Sequence, residues 1–142
     1  MLAWRNLHVA DAVVCDQLNG RLNSRAGCSL TEHDLMACLA AAPGQRLRMS
    51  DVAARLRVSP GGVTRIADRL VARGWIERDQ PPDNRREVRL ALTTAGTAVL
   101  DAARAAYAEV LRDTFAKHLD DGDLDLLGTI TGKLAARLGE GT

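Results

Sequence analysis

Between Pro60 and Arg73 the chain sets Gly61, Thr64, Arg65, Asp68 and Arg69 on one side of a helical repeat, with Val63, Ile66 and Leu70 at i, i+3 and i+7 on the other. One face packs and the other is left to act. An arginine such as Arg65 presents a planar fork of donors that pairs bidentately with the edge of a guanine, a contact worth about 1–3 kcal/mol of discrimination. The amide dipole of such a helix suits a phosphate at its first turn. Gly61 and Gly62 each lower helix stability by about 1 kcal/mol relative to alanine, which implies a backbone that approaches another molecule closely. A second basic group follows in Asp79-Gln80-Pro81-Pro82-Asp83-Asn84-Arg85-Arg86, where paired prolines and Asp-Asn make an exposed turn with Arg85 and Arg86 at its tip. The chemistry implied is recognition of a polyanion, double-stranded DNA above all.

The overall charge of +1 does not show this, because the charge is segregated. From Arg46 to Arg89 there are eleven basic residues, all arginine, against six carboxylates, which leaves that stretch at +5 and the remainder at −4. Both lysines, Lys117 and Lys133, lie outside it. A length of 142 residues supports one compact unit with a modest core, better served by oligomerisation than by division into two domains. No run is long and apolar enough to cross a membrane, and the first residues reach Asp11 and Asp16 without a signal-type core, so a cytoplasmic protein is expected. Three cysteines without CxxC spacing argue against a disulfide framework and a structural zinc site. Neither a nucleophile elbow, nor a phosphate-binding glycine loop, nor a carboxylate pair beside a histidine is present, so no enzyme and no cofactor is expected.

The elements that must position the basic face are legible in outline. Leu2 to about Arg25 reads as a first helix, with Trp4, Leu7, Val14, Leu18 and Leu22 on one seam and Gly27 as its stop. Thr31 as N-cap, with Asp34 three residues on, opens a second helix that buries Leu35, Cys38, Leu39 and Ala42. Leu47-Arg48 forms a short strand, and Ser50 caps a helix from Asp51 to Arg57 with Val52, Ala53 and Leu56 inward. Ser59 followed by Pro60 is an N-cap before a first-position proline, and Gly74 ends the helix begun there. Trp75 to Arg78 and Val88 to Leu92 are the strands flanking the basic turn, the second alternating Val88, Leu90 and Leu92 against Arg89 and Ala91. Thr93 or Thr94 caps a long helix to about Leu119, with Val99, Ala103, Ala106, Val110 and Phe115 on its seam. Asp120-Asp121-Gly122 breaks the chain before a last helix carrying Leu124, Leu127, Ile130, Leu134 and Leu138. The fold expected is mainly α with a small β wing: a winged helix-turn-helix head at 46–93 within a single domain, with 1–28 and 94–142 as a helical dimerisation region.

The run Ser-Pro-Gly-Gly-Val-Thr-Arg-Ile-Ala-Asp-Arg-Leu-Val-Ala-Arg-Gly-Trp-Ile, followed by Asp83-Asn84-Arg85 and Val88-Arg89-Leu90-Ala91-Leu92-Thr93, resembles the MarR group of bacterial winged helix-turn-helix transcription regulators over nearly the whole chain. The resemblance implies a homodimer, most simply a repressor, whose recognition helices enter successive major grooves of a palindrome. It assigns Ser59, Thr64, Arg65 and Arg69 to groove and phosphate contacts, Arg85 to the wing finger and Asp83 to holding that finger. It also implies a small phenolic or aromatic effector. Trp4, Arg5 and His8 on the first helix, together with His33 and Met36 on the second, are the candidate ligand residues, Trp4 and His8 being one turn apart. A redox switch is the alternative, with Cys15 and Cys28 flanking the end of the first helix and Cys38 read as core. The other alternative is a winged helix whose basic face meets an acidic protein.

Overall fold

The computed structural model describes residues 1–81, 84 and 86–139. Helix α1 (Leu2–Ala26) ends at Gly27, whose positive φ of 68° supplies the left-handed cap expected there. After α2 (Leu30–Ala40) and a 3₁₀ turn at Pro43–Gln45, strand β1 (Arg46–Arg48) leads into α3 (Met49–Leu56) and α4 (Pro60–Ala72). Strands β2 (Ile76–Asp79) and β3 (Arg89–Leu92) form the wing. The sheet order is β1-β3-β2, antiparallel throughout, with Leu47 opposite Leu90 and Ile76 opposite Leu92. Helix α5 (Thr94–Val110) runs back along α1, and α6 (Asp121–Gly139) closes the described chain. The core lies under the head, where Leu22, Leu35, Met36, Val63, Leu70 and Leu90 are fully buried in one cluster. No helix among the described residues is long and apolar enough to cross a membrane.

The start of α4 follows its local signals. Ser59 accepts the amide N–H of Gly62 at 3.1 Å with its side chain, Pro60 occupies the first turn, and Gly74 turns the chain at φ 71° after Arg73. Thr93 caps α5 by accepting from Gly96 at 3.1 Å, and its hydroxyl lies 2.7 Å from the carbonyl oxygen of Gly74 and 2.9 Å from that of Trp75, which ties the helix to the end of α4.

Other boundaries differ from the sequence reading for tertiary reasons. The N-cap of α2 is Ser29, not Thr31, and forms a capping box with Glu32. Helix α3 begins at Met49 rather than behind a Ser50 cap, because the Met49 N–H donates to Val88 O at 3.0 Å and the preceding strand holds it there. Strands β2 and β3 each begin one residue late. Ala91 is buried with Leu90 and Leu92 because β3 is the central strand, with Arg46 and Glu77 on either side of that small residue. The long helix stops at Val110, passing through a π turn at Leu111–Phe115 and a 3₁₀ turn at Ala116–His118. Cys38 is half-buried and Cys28 is the cysteine fully inside.

Large apolar side chains stay uncovered on both terminal helices: Leu2, Trp4, Val9 and Val13 on α1 and Leu126, Ile130 and Leu134 on α6 are exposed.

The two glycines that open α4 differ in kind. A Cβ at Gly62 would stand 2.5 Å from Val58 Cγ1, whereas one at Gly61 would meet nothing within 4 Å. Val58 is β-branched and stiff. Gly62→Ala is therefore expected to destabilise the chain by about 1–3 kcal/mol, and Gly61→Ala to stabilise it by up to ~1 kcal/mol, read as urea unfolding midpoints; shifts of the same sign would refute the distinction.

Candidate nucleic-acid interface

Four residues expected to read DNA are presented along one side of α4, from Ser59 to Arg69, and all are exposed. Thr64 donates its hydroxyl to Pro60 O at 3.0 Å, so its methyl and one oxygen lone pair remain outward. Arg65 has no polar partner among the described residues. A Cβ at Gly61 would meet nothing within 4 Å, so its missing side chain serves no internal packing. Gly62, in contrast, is a glycine because the turn at Val58 leaves no room, not because DNA approaches it.

One turn further, at Arg69, the structure shows a duty the sequence reading did not contain. Arg69 Nε donates to Glu32 Oε1 at 3.2 Å, and Arg73 Nη1 lies 3.4 Å from Glu32 Oε2 while donating to Gly27 O at 2.8 Å. Arg73 also stacks 4.7 Å over the Trp75 ring. Glu32 is only 4% exposed, the one charged side chain buried among the described residues. Burial alone would raise its pKa, but the Ser29 N–H at 2.9 Å and the two guanidinium groups outweigh it and hold the carboxyl below its ordinary value. A buried carboxylate thus joins α2 to α4 through two charge-assisted bonds. Arg65, Arg69 and Arg73, each four residues apart, form a stripe that runs from unpaired through half-engaged to fully engaged.

Other cations near the interface are engaged as well. Arg78 pairs with Asp68 at 2.6 Å and Arg46 with Asp79 at 3.2 Å. Arg89, at 2.6 Å, and Arg48, at 3.2 Å, share Glu87, whose pKa the Arg89 bond lowers first and foremost. At the wing, Glu87 N–H donates to Asn84 O at 3.0 Å and Arg86 N–H to Asn84 Oδ1 at 3.2 Å, which turns the chain and leaves the Arg86 side chain exposed. Asp83 and Arg85 lie outside the described residues. Between α4 and the wing strands runs an open groove of about 610 Å³ that includes Thr64, Asp68 and Arg78.

This arrangement of helix and wing recurs in known proteins. Residues 28–88 match the model of the MarR family. Over that segment the chain is similar to the MarR family of transcriptional regulators. It is 33% identical over 79 residues to the multiple antibiotic resistance protein MarR of Escherichia coli strain K12, covering 56% of this chain and 55% of that protein. It is 35% identical over 92 residues to the transcriptional repressor MprA of the same strain, covering 65% and 52%. The chain thus spans about half the length of these relatives. A MarR family transcriptional regulator from Streptomyces coelicolor, solved in complex with DNA, superposes with a TM-score of 0.87 at 27% identity over 96% of this chain and 89% of its own.

The expected ligand residues divide between two places in the structure. Trp4, Arg5 and His8 are exposed near the start of α1, with Trp4 and His8 stacked at 6.2 Å between centroids as their spacing required. His33 lies instead between α2 and α5, stacked 4.9 Å from Tyr107, with Nδ1 3.1 Å from Asp34 Oδ1. It lines a cavity of about 530 Å³ together with Ala37, Leu100, Arg104, Tyr107 and Leu111. Trp4, Arg5 and His8 do not line that cavity, and Met36 is fully buried in the core, so the five residues do not make one site. Tyr107 and Arg104 were missed because their helix was read only for its apolar seam. The cysteines are placed against a thiolate: burial, followed by Asp11, raises the Cys15 thiol, and burial, followed by Glu32, raises that of Cys28.

The depressed pKa of Glu32 makes stability depend on acid. A carboxyl whose folded pKa lies below its unfolded value of about 4.3 contributes fully above that value, and the contribution is lost as pH falls through the folded pKa. Urea midpoints followed from about pH 7 to pH 3 are expected to drop steeply in the native chain and less steeply in Glu32→Gln; parallel curves would remove Glu32 as a source of the acid dependence.

Proposed function

We propose that this chain is a homodimeric repressor that covers a palindromic operator in double-stranded DNA and leaves it when a small aromatic or phenolic acid binds. The observation that carries the DNA reading is the outward face of α4, where Ser59, Thr64 and Arg65 stand exposed and Arg65 is free of polar partners among the described residues while the neighbouring arginines are engaged. An unengaged guanidinium near the start of a groove-sized helix is suited to a base edge, and engaged ones to a fixed helix pose. The wing, through Arg86 and, as the family resemblance implies, Arg85 and Asp83, extends the contact to the flanking minor groove. The likeness to a regulator solved with DNA supports the same pose. Such a protein acts in the cytoplasm, where the DNA is.

Dimerisation is supported by the apolar faces of α1 and α6, which a second copy would cover. Two heads about 34 Å apart match one turn of DNA and read a palindrome more selectively than one head does. The effector reading rests on the cavity between α2 and α5. Its stacked His33–Tyr107 pair offers an aromatic wall and Arg104 a cation at the rim, which suits a ring bearing a carboxylate. Release needs only that the ligand bind better to a head spacing that does not fit one turn of DNA.

Binding of the purified protein to its own upstream intergenic DNA, titrated with salt and against random competitor, tests this reading. The native chain is expected to bind specifically with a steep salt dependence. Arg65→Ala is expected to lose about 1–3 kcal/mol of preference for the operator over the competitor, and Arg86→Ala to weaken binding to both while reducing the salt slope by about 1. Salt-insensitive binding, or an operator preference that survives Arg65→Ala, would overturn the contact assignment, and capture of an acidic protein in place of DNA would replace the reading altogether.

A further inference from the structure

The buried carboxylate of Glu32 has a geometry beyond that of a structural ion pair. It takes the ε nitrogen of Arg69 and leaves both terminal nitrogens of that guanidinium outside the bond, on a side chain that is 52% exposed. Arg69 stands one turn beyond Arg65 on the outward side of α4. On its own, a long arginine side chain at a surface samples many rotamers and loses entropy when a contact fixes it. Here the fixing is done in advance. Glu32 is itself immobilised by the Ser29 N–H at 2.9 Å and by Arg73 at 3.4 Å, and Arg73 is anchored on Gly27 O and the Trp75 ring. The other two partners of the carboxylate are thus held by the protein itself, Ser29 through its backbone and Arg73 through Gly27 and Trp75.

We propose that Glu32 is a positioning residue for DNA binding, holding the Arg69 guanidinium by its ε nitrogen so that its terminal nitrogens meet a backbone phosphate beside the recognition helix. The inference deepens the DNA-binding reading above and rests on it. It assigns the two arginines of the stripe different tasks: Arg65, unengaged, adapts to a base, while Arg69, pre-set, fixes the register of the helix on the duplex. It also runs against simple electrostatics, since removing a negative charge near a polyanion should strengthen binding. The sign of the effect therefore separates positioning from charge.

Phosphate contacts do not depend on sequence, so the test uses a random-sequence duplex of about 30 base pairs over a series of salt concentrations. Native protein is expected to bind with a steep salt slope; if it does not, the DNA-binding reading falls and the role of Glu32 falls with it. Given that binding, Glu32→Gln and Arg69→Ala are each expected to weaken affinity about three- to tenfold and to lower the slope by about 0.9 for each protomer that loses its contact. The double variant is expected to bind no more weakly than Arg69→Ala alone, because both changes remove one contact. Arg69→Lys keeps the charge but has no ε N–H with which to hold Glu32 while its end donates to phosphate. It leaves Glu32 unaltered, so it tests the proposal even where Glu32→Gln compromises folding. It is expected to bind within about twofold of Arg69→Ala. Native-like binding by Arg69→Lys, tighter binding by a folded Glu32→Gln, or additive losses in the double variant would each overturn the proposal.

Discussion

A carboxylate that does not reach the surface ties α2 to α4, the helix proposed to read DNA. Glu32 sits on α2, yet its bonds run to Ser29 behind it and to Arg69 and Arg73 on α4. A buried charge is tolerable only when its lone pairs are filled, and this one is surrounded by donors. Breaking one partner leaves the others uncompensated, which makes the arrangement restrictive as well as stabilising. The apolar contacts of Val63, Ile66 and Leu70 hold α4 against the core, and directional bonds to the Glu32 carboxylate add to them.

Helix α2 consequently has two sides with different tasks. Glu32 reaches toward α4, and the next residue, His33, faces the cavity shared with Tyr107 and Arg104 on α5. A shift or rotation of this short helix would be felt at both. Helix α5 is joined in turn to the end of α4 by Thr93, whose hydroxyl contacts the carbonyls of Gly74 and Trp75. The cavity thus lies between α2, which packs on α4, and α5, whose cap bonds to the turn that follows α4, a contiguous route of packed and hydrogen-bonded groups. If the proposed small ligand binds here, this is where occupancy and DNA pose would be coupled.

Much of this fold was legible because its signals are local. Ser59-Pro60, Gly27, Gly74 and Thr93 act within a few residues of themselves, and each does what its chemistry suggests. The failures are cases in which two local signals compete and a distant contact decides. Ser29 and Thr31 are both hydroxyls with an acid three residues on; Glu32 prevails over Asp34 because arginines more than thirty residues away need it inside. Met49 enters α3 ahead of the expected cap because β1 delivers it to Val88. The stack of Trp4 on His8 followed from helical spacing, but whether that pair shares a site with His33 is a matter of tertiary placement, and it does not. Arg69 was recognisable as an outward arginine, whereas its tie to Glu32 was not, since no local pattern links residues 32 and 69.

The most direct measurement is a crystal structure of the protein bound to duplex DNA from its own upstream region. This account requires the first turn of α4 in the major groove, the Arg69 terminal nitrogens on a phosphate oxygen, and the bond from its ε nitrogen to Glu32 intact. A complex in which Arg69 abandons Glu32 to reach the DNA, or in which α4 faces away from the groove, would contradict it.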